Sequence, residues 1–344
     1  MSRLHEEAMR VLRDRLAPLV PYMDNDAVNE IMVNGHGNYF VEMHGRIDRV
    51  EVDLPAFAID AAIHAVMAVN DKETAHIMDA RLPGLRVACA LPPVAIHGPM
   101  MTIRKHARRR FNLDEYVEQG VFEKSLLGKS HQKGEDLVFE DGAKNGGKGL
   151  AEFLRWAVRS HKNILLAGGT GSGKTTLLSS CLMEIPEWER IITCEDTSEI
   201  TLAQPNVVQF EAYAVPGLPP VTIRDLIRLC LRCRPDRIVV GEIRGPEAYD
   251  FLDALNTGHA GSLCTLHADS AFLALRRLES LVRMSPTATN LPLRDMRTSI
   301  ASAIDYVVYQ SRENGVRAPE QVIALDGICD DGDYDYRTIY SRFD

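Results

Sequence analysis

The sequence has few aromatic residues, no long apolar run and no excess of positive charge. Aromatic residues make up 6% of the 344 residues, and the formal net charge is −9. These values argue against a protein that coats nucleic acid or stacks unpaired bases on aromatic side chains. The most apolar run, 57–69, is interrupted by Asp60 and His64, whereas a membrane span requires roughly 18 apolar residues. We therefore expect a protein without a membrane-spanning helix.

Cysteine is also sparse and irregularly placed. The seven cysteines are scattered and odd in number, unlike the dense framework of a small secreted protein. Because the amino terminus shows no signal-peptide pattern either, we expect reduced thiols, no disulfides and a cytosolic setting. The hydrophobic fraction of 45% is sufficient for a large core, and the length suggests two or three domains.

The first part of the chain predicts a small α+β domain, residues 1–122. A first amphipathic helix precedes a strand, a tight turn at Asn34–Gly37 and a second strand, and a further helix is predicted over Ala56–Val69. Residues 123–149 are dominated by Lys, Gly, Glu and Asp, which predicts a flexible linker.

Residues 150–344 show the alternation of a parallel α/β sheet. Short apolar runs at 164–167, 191–193, 238–240 and 263–266 are separated by helical patterns. The predicted fold class is therefore α/β, with a carboxy-terminal domain built on a mainly parallel sheet and a smaller α+β amino-terminal domain.

A P-loop pattern follows the first of these strands and precedes a helix, which is the context that this pattern requires. Its glycines let backbone N–H groups surround phosphates, Lys174 supplies positive charge, and the Thr175 hydroxyl is suited to Mg²⁺. The alternative is a glycine-rich turn that only joins strand to helix. The residues predicted to hold ATP are Gly168, Gly169, Thr170, Gly171, Ser172, Gly173, Lys174, Thr175 and Thr176.

Two carboxylates are predicted at the same sheet edge as the P-loop. Glu242 follows the strand 238–240 and is a Walker B candidate, so Thr175 and Glu242 form the predicted Mg²⁺ site. Glu195 follows another strand and is the predicted base for the attacking water. A solvated loop charge or a helix cap is the alternative for these acids, above all for Asp196 and Glu199.

His259 and His267 flank the strand 263–266, and both are predicted to lie near the nucleotide end of the sheet, where they could sense the γ phosphate. An ordinary packed or surface histidine is the alternative for each. No third ligand at metal spacing supports a zinc site.

A series of motifs in a fixed order gives the chain a family resemblance. The P-loop, the acidic box 192–197, the segment 232–237, the segment 241–244 and the histidine segment 258–268 resemble the type II/type IV secretion traffic ATPase superfamily, in the branch serving type IV secretion, conjugative transfer and tight-adherence pili. Segments 28–35 and 91–105 are similar to the amino-terminal domain of that branch.

The resemblance implies a RecA-like P-loop domain and a homo-hexameric ring in which the amino-terminal domain closes over ATP and Mg²⁺. It also implies cationic groups that contact the γ phosphate from outside the P-loop. Arg104 is the first candidate and Arg81 the second, with a structural surface arginine as the alternative.

Two features depart from the family pattern. Cys194 replaces an aliphatic residue in the acidic box, and 123–149 has no matching motif. Cys230 and Cys233 form a C-x-x-C spacing on a predicted helix, which we interpret as packing rather than redox chemistry. The basic cluster 104–110 suggests a peripheral membrane or acidic-partner contact, with a solvated linker as the alternative.

These inferences predict an ATPase that powers substrate transfer in a type IV secretion or conjugation machine, peripheral to the cytoplasmic face of the bacterial inner membrane. Its partners would be the other components of that machine, with cargo (protein, DNA or pilin) contacted indirectly. The alternatives are a pilus assembly or retraction motor, a nucleotide-gated ring scaffold with little hydrolysis, and a DNA translocase.

Overall fold

The structure, a computed structural model, describes residues 3–70, 75–106, 118, 133–215 and 219–343. In these ranges the chain forms two sheets, one of six strands and one of eight. The functional residues predicted above fall on both sheets, so the contact between the sheets decides which of them meet.

The small sheet is antiparallel throughout, with strand order β3-β2-β1-β6-β5-β4. One face is covered by two helices, because Leu12 of the first and Ile59 and Ile63 of the third form one buried cluster with Ile31. The predicted helix at Ala56 and the predicted turn after β1 are both confirmed. Its elements are α1 (Arg3–Arg15), a 3-10 turn (Ala17–Leu19), α2 (Val20–Asp24), β1 (Val28–Asn34), β2 (Tyr39–Met43), β3 (Arg46–Val50), α3 (Ala56–Val69), β4 (Ile77–Leu82), β5 (Leu85–Ala90) and β6 (Met100–Lys105).

The large sheet has the order β14-β13-β12-β7-β11-β10-β8-β9. Its six strands from β12 to β9 are parallel, and β13 and β14 extend the sheet as antiparallel strands. Buried apolar runs with short strands are typical of a parallel sheet covered on both faces. The strands are β7 (Ile164–Gly168), β8 (Ile191–Glu195), β9 (Val207–Glu211), β10 (Arg237–Val240), β11 (Leu263–Leu266), β12 (Tyr306–Glu313), β13 (Val316–Ile328) and β14 (Tyr334–Ser341).

Helices pack on both faces of the large sheet and form two buried clusters. Phe251 and Leu278 belong to the cluster on one face, and Phe153 and Leu178 belong to the other. The helices are α4 (Lys133–Ala143), α5 (Gly147–Arg159), α6 (Lys174–Leu182), α7 (Ile223–Cys230), α8 (Glu247–Asn256), α9 (Ala271–Val282) and α10 (Leu293–Ala303).

Helix α4 corrects the predicted linker. The prediction of a flexible connection over 123–149 is wrong for 133–143, which is helical, while 119–132 lies outside the described residues. Phe139 stacks on Trp156 of α5 with ring centroids 5.2 Å apart, and Glu140 accepts a hydrogen bond from the Tyr306 hydroxyl at 2.9 Å. These contacts attach α4 to the large sheet.

The small sheet contacts the large sheet at the edge where the parallel strands begin. Arg190, directly before β8, is fully buried and donates from Nη1 to Asn34 Oδ1 of β1 at 2.9 Å. Asn206, directly before β9, accepts from Asn34 Nδ2 at 2.9 Å. The Val94 carbonyl also accepts from the N–H of Glu211 on the edge strand β9. The small sheet therefore lies against the amino edge of the large sheet and along β9.

All seven cysteines are free thiols, and six of them are buried. Cys230 Sγ lies 3.3 Å from Cys194 Sγ of β8. Burial raises the pKa values of Cys230 and Cys233. Both residues belong to the core, as the packing interpretation of the C-x-x-C spacing predicts.

Two sequence predictions concern membranes. Among the described residues, no helix combines the length and apolarity needed to cross a bilayer. Of the basic cluster, Arg104 and Lys105 end strand β6, whereas Arg108, Arg109 and Arg110 lie outside the described residues.

Candidate functional site

The P-loop lies at the carboxyl edge of the large sheet. Strand β7 is fully buried and pairs in parallel with β11 and β12, so its last residue, Gly168, is delivered to that edge. Helix α6 begins six residues later at Lys174. Gly173 precedes it with a φ of 92°, a conformation that side chains beyond glycine adopt only with strain.

Strand β12 supports the loop through Gln310. The Gln310 amide donates from Nε2 to the Ser172 carbonyl at 2.8 Å. A Cβ on Gly168 would lie 2.2 Å from the Gln310 carbonyl oxygen, and one on Gly173 would lie 2.9 Å from Gln310 Nε2. The backbone contact requires glycine at 168, whereas the positive φ favours glycine at 173.

The Lys174 ammonium lies over the loop. It donates from Nζ to the carbonyl oxygens of Gly168 and Gly169, each at 2.9 Å. Burial lowers the pKa of Lys174, and the nearby Glu242 carboxylate opposes this shift. Thr175 is half-buried at the start of α6, and Thr176 is exposed one position further.

A cleft of about 120 Å³ adjoins the P-loop at the carboxyl ends of β7, β8 and β10. Three of the predicted functional residues, Thr175, Glu195 and Glu242, meet in this cleft. Its lining residues are Thr175, Glu195, Asp196, Thr197, Glu199, Gly241, Glu242 and Arg244.

Glu195, the predicted base, is held in one orientation at the floor of this cleft. Its side chain is 3% exposed, and Oε2 accepts the backbone N–H groups of Glu199 at 2.8 Å and Ile200 at 3.0 Å. The Thr193 hydroxyl donates to Oε1 at 3.3 Å. Burial raises the pKa of Glu195, and these hydrogen bonds only partly offset the shift. A raised pKa makes the ionised carboxylate a stronger proton acceptor.

Glu242 lies opposite Glu195, on the loop after β10. Arg244 donates from Nη2 to Glu242 Oε2 at 2.8 Å, and His267 Nε2 lies 3.1 Å from Glu242 Oε1. The Glu242 contact raises the pKa of Arg244, whose side chain also approaches Asp196 Oδ2 at 3.4 Å.

Glu247 fixes the loop that carries Glu242, a role that the sequence analysis missed. Its Oε1 accepts the backbone N–H groups of Arg244 and Gly245, both at 2.7 Å. The sequence carries a local signal for this role. Glu247 begins α8, and a carboxylate in the first turn of a helix commonly accepts backbone N–H groups at the helix start.

The two histidines lie at opposite edges of the sheet. His267 follows β11 and contacts Glu242, as its predicted position requires. His259 precedes β11, and its Nδ1 lies 3.1 Å from the Ala254 carbonyl oxygen. Because β11 runs parallel to β7, the start of β11 is distant from the P-loop. The prediction that both histidines lie at the nucleotide end is therefore wrong for His259.

The structure does not bring Arg104 and Arg81 to the cleft of their own chain. Arg104 pairs across β6 and β1 with the buried Glu30, its Nε donating to Oε1 at 2.7 Å. Arg81 is exposed on β4, the edge strand that packs towards α7. Since the small sheet contacts the amino edge, the predicted approach of these residues to the P-loop is wrong within one described chain.

Two arginines of the β12–β13 hairpin lie beside the P-loop and were also missed. Arg312 Nη1 is 3.8 Å from the position of a Cβ on Gly171, and Arg317 Cδ is 3.3 Å from that of a Cβ on Gly173. The hairpin follows the P-loop by about 140 residues, and only the pairing of β12 with β7 brings it there.

A P-loop after a buried parallel strand, with carboxylates following two neighbouring strands, defines a P-loop nucleotide-binding protein of the α/β class. Comparison with known proteins narrows this class. Residues 142–312 match a family profile described as "Type II/IV secretion system protein".

Whole-length relatives agree with that match. The chain is 32% identical to the type IV secretion system protein VirB11 of Bartonella quintana, over 92% of this chain and 93% of that protein. It is 34% identical to the conjugal transfer protein TrbB of Rhizobium radiobacter, over 94% of this chain and 92% of that protein. The crystal structure of the VirB11 ATPase of the Brucella suis type IV secretion system, in complex with sulphate, is similar with a TM-score of 0.83 and 31% identity, over 93% of this chain and 96% of that chain.

The chain belongs to the type II/IV secretion system protein family. This result confirms the predicted resemblance, the predicted α/β fold with a smaller amino-terminal domain, and the assignment of the chain to the secretion ATPases.

Proposed function

We propose that the chain hydrolyses Mg·ATP on this P-loop and couples hydrolysis to substrate transfer in a type IV secretion or conjugation machine. The observation that carries the proposal is the convergence of Thr175, Glu195 and Glu242 on one cleft at the carboxyl edge of the sheet, next to the P-loop that holds Lys174. Nucleotides bind at this edge in open α/β sheets.

In the proposed role, the loop glycines and Lys174 bind the phosphates. Lys174 already lies between the carbonyl groups of Gly168 and Gly169, so phosphate oxygens would replace those two acceptors. Its lowered pKa indicates an ammonium with little solvation, which favours pairing with a phosphate anion. The start of α6 adds partial positive charge at the same point.

Thr175 and Glu242 fit a shared Mg²⁺ site, because both place oxygen atoms on the cleft. No group of three acidic, histidine or cysteine side chains with metal-ligand geometry occurs among the described residues. This fits a cation that completes its shell with phosphate oxygens and water rather than a closed protein cage. When bound, Mg²⁺ would neutralise charge on the transferred phosphoryl group.

Glu195 is the proposed base for the attacking water. Its burial, its fixed orientation and its raised pKa are the properties that proton abstraction near neutral pH requires. Glu242 is less suited to that task, since both of its oxygens already contact cationic or polar partners, Arg244 and His267. We propose that His267 senses the γ phosphate through its contact with Glu242. His259 has no corresponding contact there.

We further propose that the functional unit is a homo-hexamer. A γ-phosphate contact from Arg104 or Arg81 would have to come from another copy of the chain, because both residues lie away from the cleft of their own chain. The ATP-binding domain is proposed to comprise residues 150–344 together with α4, and the small domain residues 1–122.

The names of the relatives favour secretion and conjugation over the pilus alternative. VirB11 and TrbB are described as type IV secretion and conjugal transfer proteins, so we propose that the partners of this chain are components of such a machine. We propose a location peripheral to the cytoplasmic face of the inner membrane, with the cargo contacted indirectly.

The deciding experiment measures steady-state ATPase activity against protein concentration, with molecular mass determined at each concentration. Lys174→Ala should lower kcat/KM by at least about 10²-fold because it removes the cation beside the transferred charge. Lys148→Ala, at an exposed site on α5, is the charge-matched control.

Activity that rises as hexamers form would support the ring motor. A wild-type protein that binds ATP but stays inert in every oligomeric state would overturn the motor proposal in favour of the ring scaffold. Stimulation of turnover by DNA would instead indicate a translocase.

A further inference from the structure

The tip of the β12–β13 hairpin presents two arginines on neighbouring strands. Arg312 of β12 and Arg317 of β13 are directly opposite each other in the antiparallel register. Both side chains are exposed. Like charges placed directly opposite each other are unfavourable, so the pair has an electrostatic cost in the absence of an anion.

Neither arginine has a compensating carboxylate in the described part of the chain. Other arginines of the large domain do form ion pairs there, for example Arg276 with Asp333 and Arg337 with Asp326. Arg312 and Arg317 have no acidic partner within 4.0 Å among those residues. Their positive charge is thus free to act on a ligand.

Both residues approach the P-loop itself. Arg312 Nη1 lies 3.8 Å from the position of a Cβ on Gly171, at the apex of the loop, and the Arg317 stem packs 3.3 Å from that of Gly173. Gln310 joins the same strand to the loop backbone by its hydrogen bond to the Ser172 carbonyl. The Arg312 guanidinium and the Arg317 stem therefore lie beside the same part of the loop, between Gly171 and Gly173.

Strand order tells which part of a nucleotide would lie there. Glu195 and Glu242 follow β8 and β10, on one side of β7, whereas the hairpin lies on the other side. A triphosphate that follows the P-loop from a terminal phosphate in the carboxylate cleft would run towards β12. Its α-phosphate and nucleoside then lie beside the hairpin.

We propose that Arg312 and Arg317 bind the α-phosphate side of the nucleotide and set its affinity without taking part in hydrolysis. This inference rests on the proposed ATPase function and adds a contact from the carboxy-terminal hairpin to the same site. The two arginines bind ADP and ATP alike, because both nucleotides carry the α-phosphate.

The test measures the dissociation constants of ADP and of a non-hydrolysable ATP analogue by calorimetry. The variants are Arg312→Gln, Arg317→Gln and Arg312→Lys, with Arg294→Gln of α10 as the charge-matched control at an exposed site. Each Gln variant should weaken both ligands by a similar factor of about 5–10, as expected for loss of one charge-assisted hydrogen bond at a partly exposed site. Arg312→Lys should restore part of the ADP affinity, and Arg294→Gln should match the wild type.

Kinetic measurements give a second readout. In the Gln variants KM should rise while kcat stays within about twofold, because a contact made equally in ground state and transition state alters binding alone. Unchanged ADP affinity in both Gln variants, or a loss confined to the ATP analogue, would overturn the assignment. If the wild-type protein does not bind ADP at all, both the proposed function and the hairpin contact are refuted. If the wild-type protein binds ADP tightly and the variants bind it equally well, only the hairpin contact is refuted.

Discussion

Replacing Glu195 by Gln separates its proposed catalytic role from its structural one. The amide oxygen of Gln is able to accept hydrogen bonds from the N–H groups of Glu199 and Ile200. Its NH₂ group would donate a hydrogen bond to the Thr193 hydroxyl oxygen. The loop geometry should therefore survive, while the group loses its capacity to take a proton.

The expected loss of kcat is about 10²–10³-fold, which is within the range for removing a general base. This loss corresponds to an increase of about 2.7–4.1 kcal/mol in the activation free energy. Substrate affinity should change little, since in the proposed site the phosphates contact the P-loop rather than Glu195. The assay is single-turnover ATP hydrolysis at saturating nucleotide, with nucleotide affinity measured separately.

The thermal midpoint provides the complementary measurement. Burial raises the pKa of Glu195, so at neutral pH the ionised carboxylate costs stability, and this cost disappears as the pH falls through the raised pKa. Glu195→Gln removes the charge and should match or exceed the wild type in thermal stability at neutral pH. Glu187→Gln, at an exposed position before β8 and away from the cleft, is the control and should change neither quantity. Unchanged kcat in Glu195→Gln would refute the reasoning, as would a loss of kcat accompanied by an equal loss of folded protein.

Two further predictions follow from the same contacts. Thr193→Val removes a hydrogen bond that lowers the pKa of Glu195, so the acid limb of the profile of kcat against pH should move to higher pH while its plateau is retained. Thr298→Val is the control variant. An unshifted acid limb in Thr193→Val would exclude Glu195 as the titrating base. Arg104→Ala leaves the buried Glu30 carboxylate without its cationic partner and should lower the free energy of unfolding, measured by urea denaturation, by about 1–2 kcal/mol. This value is reduced because the Arg104 side chain is 45% exposed. Adding Glu30→Gln should recover most of the loss. ATPase loss in Arg104→Ala without loss of stability would instead indicate a phosphate contact made between copies of the chain.

Sequence reasoning succeeded where the signal is local. The strand before Gly168, the helix after Gly173 and the position of Glu195 at a strand end are each encoded within about ten residues, and parallel strands bring their carboxyl ends to one edge. The same rule, applied strictly, would have placed His259 at the far edge, because it precedes its strand.

The remaining differences arise from non-local packing. No short pattern around Arg104 encodes that the small sheet docks on the amino edge through Asn34 and Arg190. Arg312 approaches the P-loop only because β12 pairs with β7. Helix α4 was missed because its polar composition resembles a linker, and the contacts that attach it, from Phe139 to Trp156 and from Glu140 to Tyr306, are made with residues outside the helix.

The distribution of thiols makes the native chain suitable for single-site labelling. Six cysteines are buried, and Cys329, after β13, is the exposed one. Partial loss of solvation and the surrounding aspartates raise its pKa, so alkylation by a maleimide would be slow at neutral pH and faster at mildly alkaline pH. A fluorophore attached there would report on the carboxy-terminal strands during nucleotide turnover without any cysteine having to be removed.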